Sequence, residues 1–205
     1  MELNEKIKQI IEHEANAVMS IPVSESFQKA LDLIYQKVHV ENGKLIASGM
    51  GKAGQIALNM ATTFSSTGTP AVFLHPADAQ HGDLGIMQAH DVMLLISNSG
   101  RTREIVELIG LAKGLYENVP IIFITGNPHS EIAELTDVVI STGNPKEVCL
   151  LGLSPTTSTT VMTVIGDILV VSMMDRINFT NEDYARRHHG GYLGQKSRDA
   201  AGIIK

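Results

Sequence analysis

The segment Val92-Met93-Leu94-Leu95-Ile96-Ser97-Asn98-Ser99-Gly100-Arg101-Thr102-Arg103-Glu104 decides the fold. Five consecutive apolar residues between Asp91 and Ser97 have the length and character of a strand covered on both faces. They run into hydroxyls around a glycine, and those run into a helical pattern. A buried strand, a polar turn and a helix in succession form the repeating unit of a parallel sheet.

The same unit recurs on either side. Lys44 to Ser48, Ala71 to His75, Asp91 to Ser97, Pro120 to Thr125 and Asp137 to Thr142 read as five strands, with helical patterns in the gaps. The expected fold class is α/β: an open five-stranded parallel sheet with helices on both faces, flavodoxin-like, carrying an N-terminal helical extension. Leu3, Ile7, Ile10, Ile11 and Val18 recur near helical spacing, Ile21-Pro22 breaks the run, and Phe27, Leu31 and Ile34 resume it. Beyond the last strand a long apolar helix is expected from about Thr156 to Met174, then a short one from Asn181 to Arg187 ending at His188-His189-Gly190-Gly191. No internal repeat, low-complexity linker or shift of composition divides the 205 residues. One domain is expected over 1–205, with 1–40 as the helical extension, 41–194 as the α/β core with its C-terminal helices, and 195–205 as a tail.

Composition narrows the partners. Formal net charge is −6, from 22 acidic and 16 basic residues, and no lysine- or arginine-rich run exists to neutralise a phosphate backbone, so nucleic acid is not an expected partner. Charged residues interrupt the N-terminus, and the longest uninterrupted apolar runs have strand length, so neither a signal peptide nor a membrane span is expected. Cys149 is the single cysteine and can form no intramolecular disulfide. A cytoplasmic location follows as the expectation. No His-x-x-x-His or paired-cysteine spacing suggests a metal.

In such a sheet the residues just after each strand face the ligand crevice. The turn Ser97 to Thr102 brings Ser97, Ser99 and Thr102 to the start of a helix, where free amides and the helix dipole favour a phosphate. A single cap would account for one hydroxyl, not three around a glycine. After the first strand, Gly49, Gly51 and Gly54 satisfy G-x-G-x-x-G, yet the next strand ends in Phe73-Leu74-His75 with no ribose-binding carboxylate, so a dinucleotide is disfavoured. Lys52 in that turn suits a small anionic substrate. His81, among small residues, reads as a cleft imidazole or a structural one. Glu104 sits in the first turn of the phosphate helix, where complementing the dipole would by itself account for an acid. Glu147 precedes Leu151-Gly152-Leu153-Ser154-Pro155-Thr156-Thr157-Ser158-Thr159-Thr160, a hydroxyl-rich helix start suited equally to capping and to holding sugar hydroxyls.

Taken in order, Ser48-Gly49-Met50-Gly51-Lys52, Ser66-Thr67-Gly68-Thr69-Pro70, Leu74-His75-Pro76-Ala77, His81-Gly82-Asp83-Leu84-Gly85, Ser97-Asn98-Ser99-Gly100, the Leu151 to Thr160 segment and Ala185-Arg186-Arg187-His188 with Gly190-Gly191 resemble the sugar isomerase (SIS) domain. The resemblance is closest to the D-arabinose 5-phosphate isomerase family and runs from about Glu12 to Gly194. It implies interconversion of D-ribulose 5-phosphate and D-arabinose 5-phosphate, the latter feeding synthesis of the eight-carbon acid Kdo of lipopolysaccharide and some capsules. It places the family's functional positions on Lys52, His81, Glu104, Glu147 and His188, and its phosphate-binding hydroxyls on Ser48, Ser97, Ser99 and Thr102. Two features depart from the family pattern: the chain stops at Lys205, where members usually continue into paired CBS modules, and His189 stands where proline is usual.

Aldose–ketose isomerisation through an enediolate requires no redox cofactor, and none is expected; a metal is optional. It does require a phosphate anchor, a base, a proton shuttle and a donor for the developing oxyanion. The expected roles are phosphate binding by Ser48, Ser97, Ser99 and Thr102, enediolate stabilisation by Lys52, and proton abstraction from carbon by Glu104 with His188 as rival. His81 or His188 would open the ring and shuttle protons, and Glu147 would orient a hydroxyl or an imidazole. By family analogy a homotetramer with shared active sites is expected. The competing readings are an isomerase of a hexulose or heptose phosphate and a non-catalytic phosphosugar sensor.

Overall fold

The computed structural model describes residues 2–203. Helix α1 (Leu3–Met19) and helix α2 (Glu25–Ile34) lead in, and α2 continues as one π-helical segment, Tyr35–Val40. The core alternates β1 (Leu45–Gly49), α3 (Gly51–Ser66), β2 (Ala71–Phe73), the short α4 (Pro76–Ala79), β3 (Val92–Ile96), α5 (Arg103–Leu115), β4 (Ile121–Thr125), the short α6 (Glu131–Glu134) and β5 (Val138–Ser141). Then follow α7 (Thr157–Arg176), α8 (Asn181–Arg187) and α9 (Gly191–Ala200).

All five strands pair in parallel in the order β2-β1-β3-β4-β5. Alternate side chains of each strand enter two separate cores. Leu45, Ala47, Leu94, Ile96, Ile122 and Ile124 face α2, α3 and α7, whereas Ile46, Met93, Leu95, Ile121 and Phe123 face α5 with α4 and α6. Strands β1, β3 and β4 are buried at every position, which explains why they read as unbroken apolar runs. The half-buried β2 forms one edge. It ends earlier than its sequence pattern suggests, because His75 and Pro76 start α4.

Two further differences have local causes. Helix α7 is, among the described residues, long and apolar enough to cross a bilayer, contrary to the expectation that nothing reaches that length. Half of its apolar window is buried, with Gly166 against Met60 of α3. The stretch expected as a tail from residue 195 belongs mostly to α9, which carries few apolar residues and so shows no helical periodicity in the sequence. Gly194 allows α9 to pass against the His188 carbonyl, where a Cβ would clash.

The path from β1 leads to β2 on one side, and the chain then crosses to β3 on the other. The order therefore reverses between β1 and β3, and the crevice opens there beyond their carboxyl ends.

Candidate functional site

Two helices begin at that crevice. After β1 the chain turns at Met50 and at Gly51, whose φ of +56° suits a glycine, and α3 starts without a side-chain cap. Gly54 lies against the Gly49 carbonyl, leaving no room for a Cβ. Thus two of the glycines in G-x-G-x-x-G act in the turn and in the packing of α3 on β1. Lys52 occupies the first turn of α3 with its side chain exposed, a cation at the positive end of a helix dipole. That placement is unfavourable alone and favours an anion beside it.

The turn after β3 is tightly built. Gly100, at φ +67°, packs on the Ser130 side chain, and its amide donates to the Ser97 carbonyl at 3.2 Å. The Ser97 and Thr102 hydroxyls bond each other at 2.7 Å, and the Arg101 amide donates to Ser99 Oγ at 3.2 Å. Thr102 is the N-cap of α5, yet no side chain caps the helix. These bonds shape the turn while leaving at least two of the three hydroxyl protons free to donate, and the first amides of α5 keep their donors free of side-chain partners.

These two helix starts share one cleft of about 1080 Å³ with the loop after β5 and the start of α7. Lys52, Ser97, Ser99, Thr102 and Glu147 all line it. Ser158 and Thr159 of the hydroxyl-rich segment line it, and so do Asn98, Arg101, Lys146 and Cys149, to which the sequence assigns no role of their own. Asn98 and Arg101 stood within the phosphate turn and Lys146 beside Glu147, so adjacency was the available signal. Among the described residues Lys52, Arg101 and Lys146 form no ion pair. They make the cleft cationic in a chain of net charge −6. The Asn98 Oδ1 is buried there without a hydrogen-bond partner.

Glu147 is placed by α7. Its Oε2 accepts from the Thr156 amide at 2.7 Å, the Thr156 hydroxyl at 2.9 Å and the Ser158 amide at 3.3 Å. Burial works to raise its pKa, but hydrogen bonds from Ser158 and Thr156 outweigh it and hold the carboxyl below the usual glutamate range. Thus the start of α7 is closed to an outside anion by an internal carboxylate, while those of α3 and α5 are open.

Four expected residues lie elsewhere within the chain. Ser48 is fully buried and its hydroxyl donates to the Leu74 carbonyl, so it holds β1 to the segment after β2 instead of facing a phosphate. Glu104, half-buried in the first turn of α5, does not line the cleft. His81 is exposed between α4 and the next turn, near a smaller cavity of about 440 Å³ lined by His75, Asp78, Gly82 and Asp83. His188 ends α8, stacked on Tyr184 with ring centroids 3.7 Å apart. Phe179, just before α8, packs 2.8 Å from where a Gly68 Cβ would be, beyond the C-terminal end of α3. Lys52 is at the other end of that 16-residue helix, about 24 Å away along its axis. The segment leading into α8 therefore lies at the far end of α3 from Lys52.

Comparisons with known proteins agree with this architecture. The family model of the SIS domain matches residues 39–172. The crystal structure of a candidate phosphosugar isomerase involved in capsule formation from Bacteroides fragilis superposes with a TM-score of 0.92 at 61% identity, covering 93% of this chain and 100% of that one. An Escherichia coli CFT073 protein in complex with arabinose 5-phosphate superposes with a TM-score of 0.84 at 34% identity, covering 92% of this chain and 100% of that one. The arabinose 5-phosphate isomerase KdsD of Escherichia coli K12 is 45% identical over 186 residues, which are 91% of this chain and 55% of that protein. The chain thus spans about half the length of the curated relatives it matches. With the sheet order, the matched segment and these relatives together, the chain belongs to the SIS domain family.

Proposed function

We propose that the chain is an aldose–ketose isomerase interconverting D-ribulose 5-phosphate and D-arabinose 5-phosphate. The observation that carries this reading is the shared cleft, in which an open helix start with Ser97, Ser99 and Thr102 adjoins the unpaired Lys52. Phosphate belongs at α5, since α7 is occupied by Glu147 and the α3 start holds Lys52 to balance charge. The sugar then extends from α5 across Lys52 towards Glu147. Lys52 stabilises the enediolate oxygen, and its cation is worth most where water is excluded. Arg101 and Lys146 add to the anion-attracting field at the rim.

Glu147, held ionised by three donors, suits orienting a substrate hydroxyl better than abstracting a proton from carbon. Glu104, in the first turn of α5 and two residues beyond the cleft-lining Thr102, takes the proton from carbon, with His188 as the rival base. His81 or His188 opens the ring and shuttles protons, both imidazoles reaching the cleft from neighbouring copies in a homotetramer. The apolar residues Leu3, Ile7, Ile10 and Ile11 left exposed along α1 support assembly through that helix. The product then supplies Kdo synthesis in the cytoplasm.

Incubation with D-ribulose 5-phosphate in deuterated water tests the reaction. Aldose formation with solvent deuterium at the carbon beside the carbonyl is expected, and binding without turnover across a panel of pentose, hexulose and heptose phosphates overturns it. Mixing the separately inactive Lys52→Ala and His188→Ala proteins tests the sharing. Recovered activity is expected after subunit exchange, and none refutes the shared site.

A further inference from the structure

Glu147 is bracketed by two consecutive residues from the far end of the chain. His13 Nε2 lies 2.7 Å from the carbonyl oxygen of Lys146, the residue before it. Glu14 Oε1 accepts from the Thr157 hydroxyl at 2.8 Å, and Thr157 Oγ1 in turn accepts from the amide of Val148, the residue after it, at 3.2 Å. The same Val148 amide lies 3.2 Å from Thr156 Oγ1, which donates to Glu147. Glu14, Thr157, Val148, Thr156 and Glu147 therefore form one continuous hydrogen-bonded chain.

Helix α1 has no buried residue. Ala17 and Val18 at its C-terminal end pack against the core, whereas at its middle these polar ties run from it into the cleft wall. Thr157 is fully buried, and the second Glu14 oxygen is buried with no partner. A carboxylate kept in that condition is costly, so its one satisfied bond matters to the site. Without it, the Thr157 hydroxyl that accepts from the Val148 amide is no longer held in place by α1, and the loop carrying Lys146 and Glu147 is tied to that helix by His13 alone.

We propose that His13 and Glu14 are positioning residues, through which α1 sets the orientation of Glu147 in the cleft. The inference rests on the isomerase reading for its kinetic effect, but the placement itself is open to a measurement that needs no substrate. Thr157 donates to Glu14, so a neutral acceptor is sufficient there. Glu14→Ala should then lower kcat about tenfold with KM within about twofold, because the phosphate anchor on α5 is untouched. Glu14→Gln should recover most of that loss. Thr157→Val should match Glu14→Ala, and the double variant should fall no further.

Hydrogen exchange at the Val148 amide should quicken in Glu14→Ala and Thr157→Val and stay slow in Glu14→Gln, whether or not the wild type turns over sugar phosphates. Unchanged exchange in Glu14→Ala overturns the proposal. So does a Glu14→Gln protein as impaired as Glu14→Ala, or additive losses in the double variant. If the wild type turns over no sugar phosphate, the isomerase reading fails, and the exchange experiment still decides the placement.

Discussion

Replacing Glu147 by glutamine removes one charge and leaves a neutral acceptor of nearly the same shape at the start of α7. Two of its bonds, from the Thr156 amide and hydroxyl at 2.7 and 2.9 Å, are short enough to count fully. A hydrogen bond to a charged group contributes about 1.5–3 kcal/mol against about 1 for a neutral one. A carboxylate at a helix N-terminus adds about 0.3–1 kcal/mol. Relief of the cost of burying the charge offsets part of this, which leaves a loss of about 1–3 kcal/mol. For a chain of this size each kcal/mol moves Tm by about 2–4 °C, so Glu147→Gln should melt about 2–12 °C below wild type at neutral pH.

The pH dependence has a definite sign. The folded carboxyl titrates below its unfolded value, so its contribution is complete above the unfolded pKa of about 4.3 and disappears as pH falls through the lower folded value. Calorimetry of both proteins should show a constant gap above about pH 5 that closes as pH drops below the ordinary carboxylate range. Equal melting temperatures at neutral pH, or a gap undiminished at the acid end, would refute the capping role.

Three further outcomes are expected. Lys52→Met should lower kcat by about a hundredfold or more while the protein still binds inorganic phosphate, measured by turnover alongside calorimetric titration; an unimpaired kcat removes Lys52 from the oxyanion role. Ser97→Ala and Thr102→Val each break the 2.7 Å hydroxyl pair and should raise KM by about five- to tenfold with a smaller effect on kcat; unchanged KM in both means the turn does not hold the phosphate. Cys149 lines the cleft, and a hydrogen bond from the Ser154 amide holds its thiol below the usual range. Iodoacetamide should therefore label it readily, and a saturating phosphosugar should slow the labelling; identical rates with and without sugar would place the ligand elsewhere.

Much of the fold is legible along the chain because burial on both faces leaves a local trace. β1, β3 and β4 are buried at every position and read as apolar runs, and β3 passes straight into the polar turn that starts α5. The edge strand β2 reads too long, since its sequence pattern extends to His75 although the pairing stops at Phe73. Helix α9 escapes notice because its packing rests on a glycine at a close contact, with few apolar residues to repeat. Within the site, Lys52 and the hydroxyls of the 97–102 turn were visible for a similar reason: each follows directly on a strand end.

What the amino-acid order by itself determined is the alternation of strand, turn and helix, and with it which segments end at the crevice. Only the tertiary structure decided that the Ser48 hydroxyl turns inward to Leu74, that Glu147 closes α7, and that His13 and Glu14 hold the residues on either side of it across more than 130 positions. Apolar periodicity is a property of neighbouring residues and survives in the sequence. A hydrogen bond depends on where two distant backbones come to rest, and that position is set by the packing of the whole sheet and its helices.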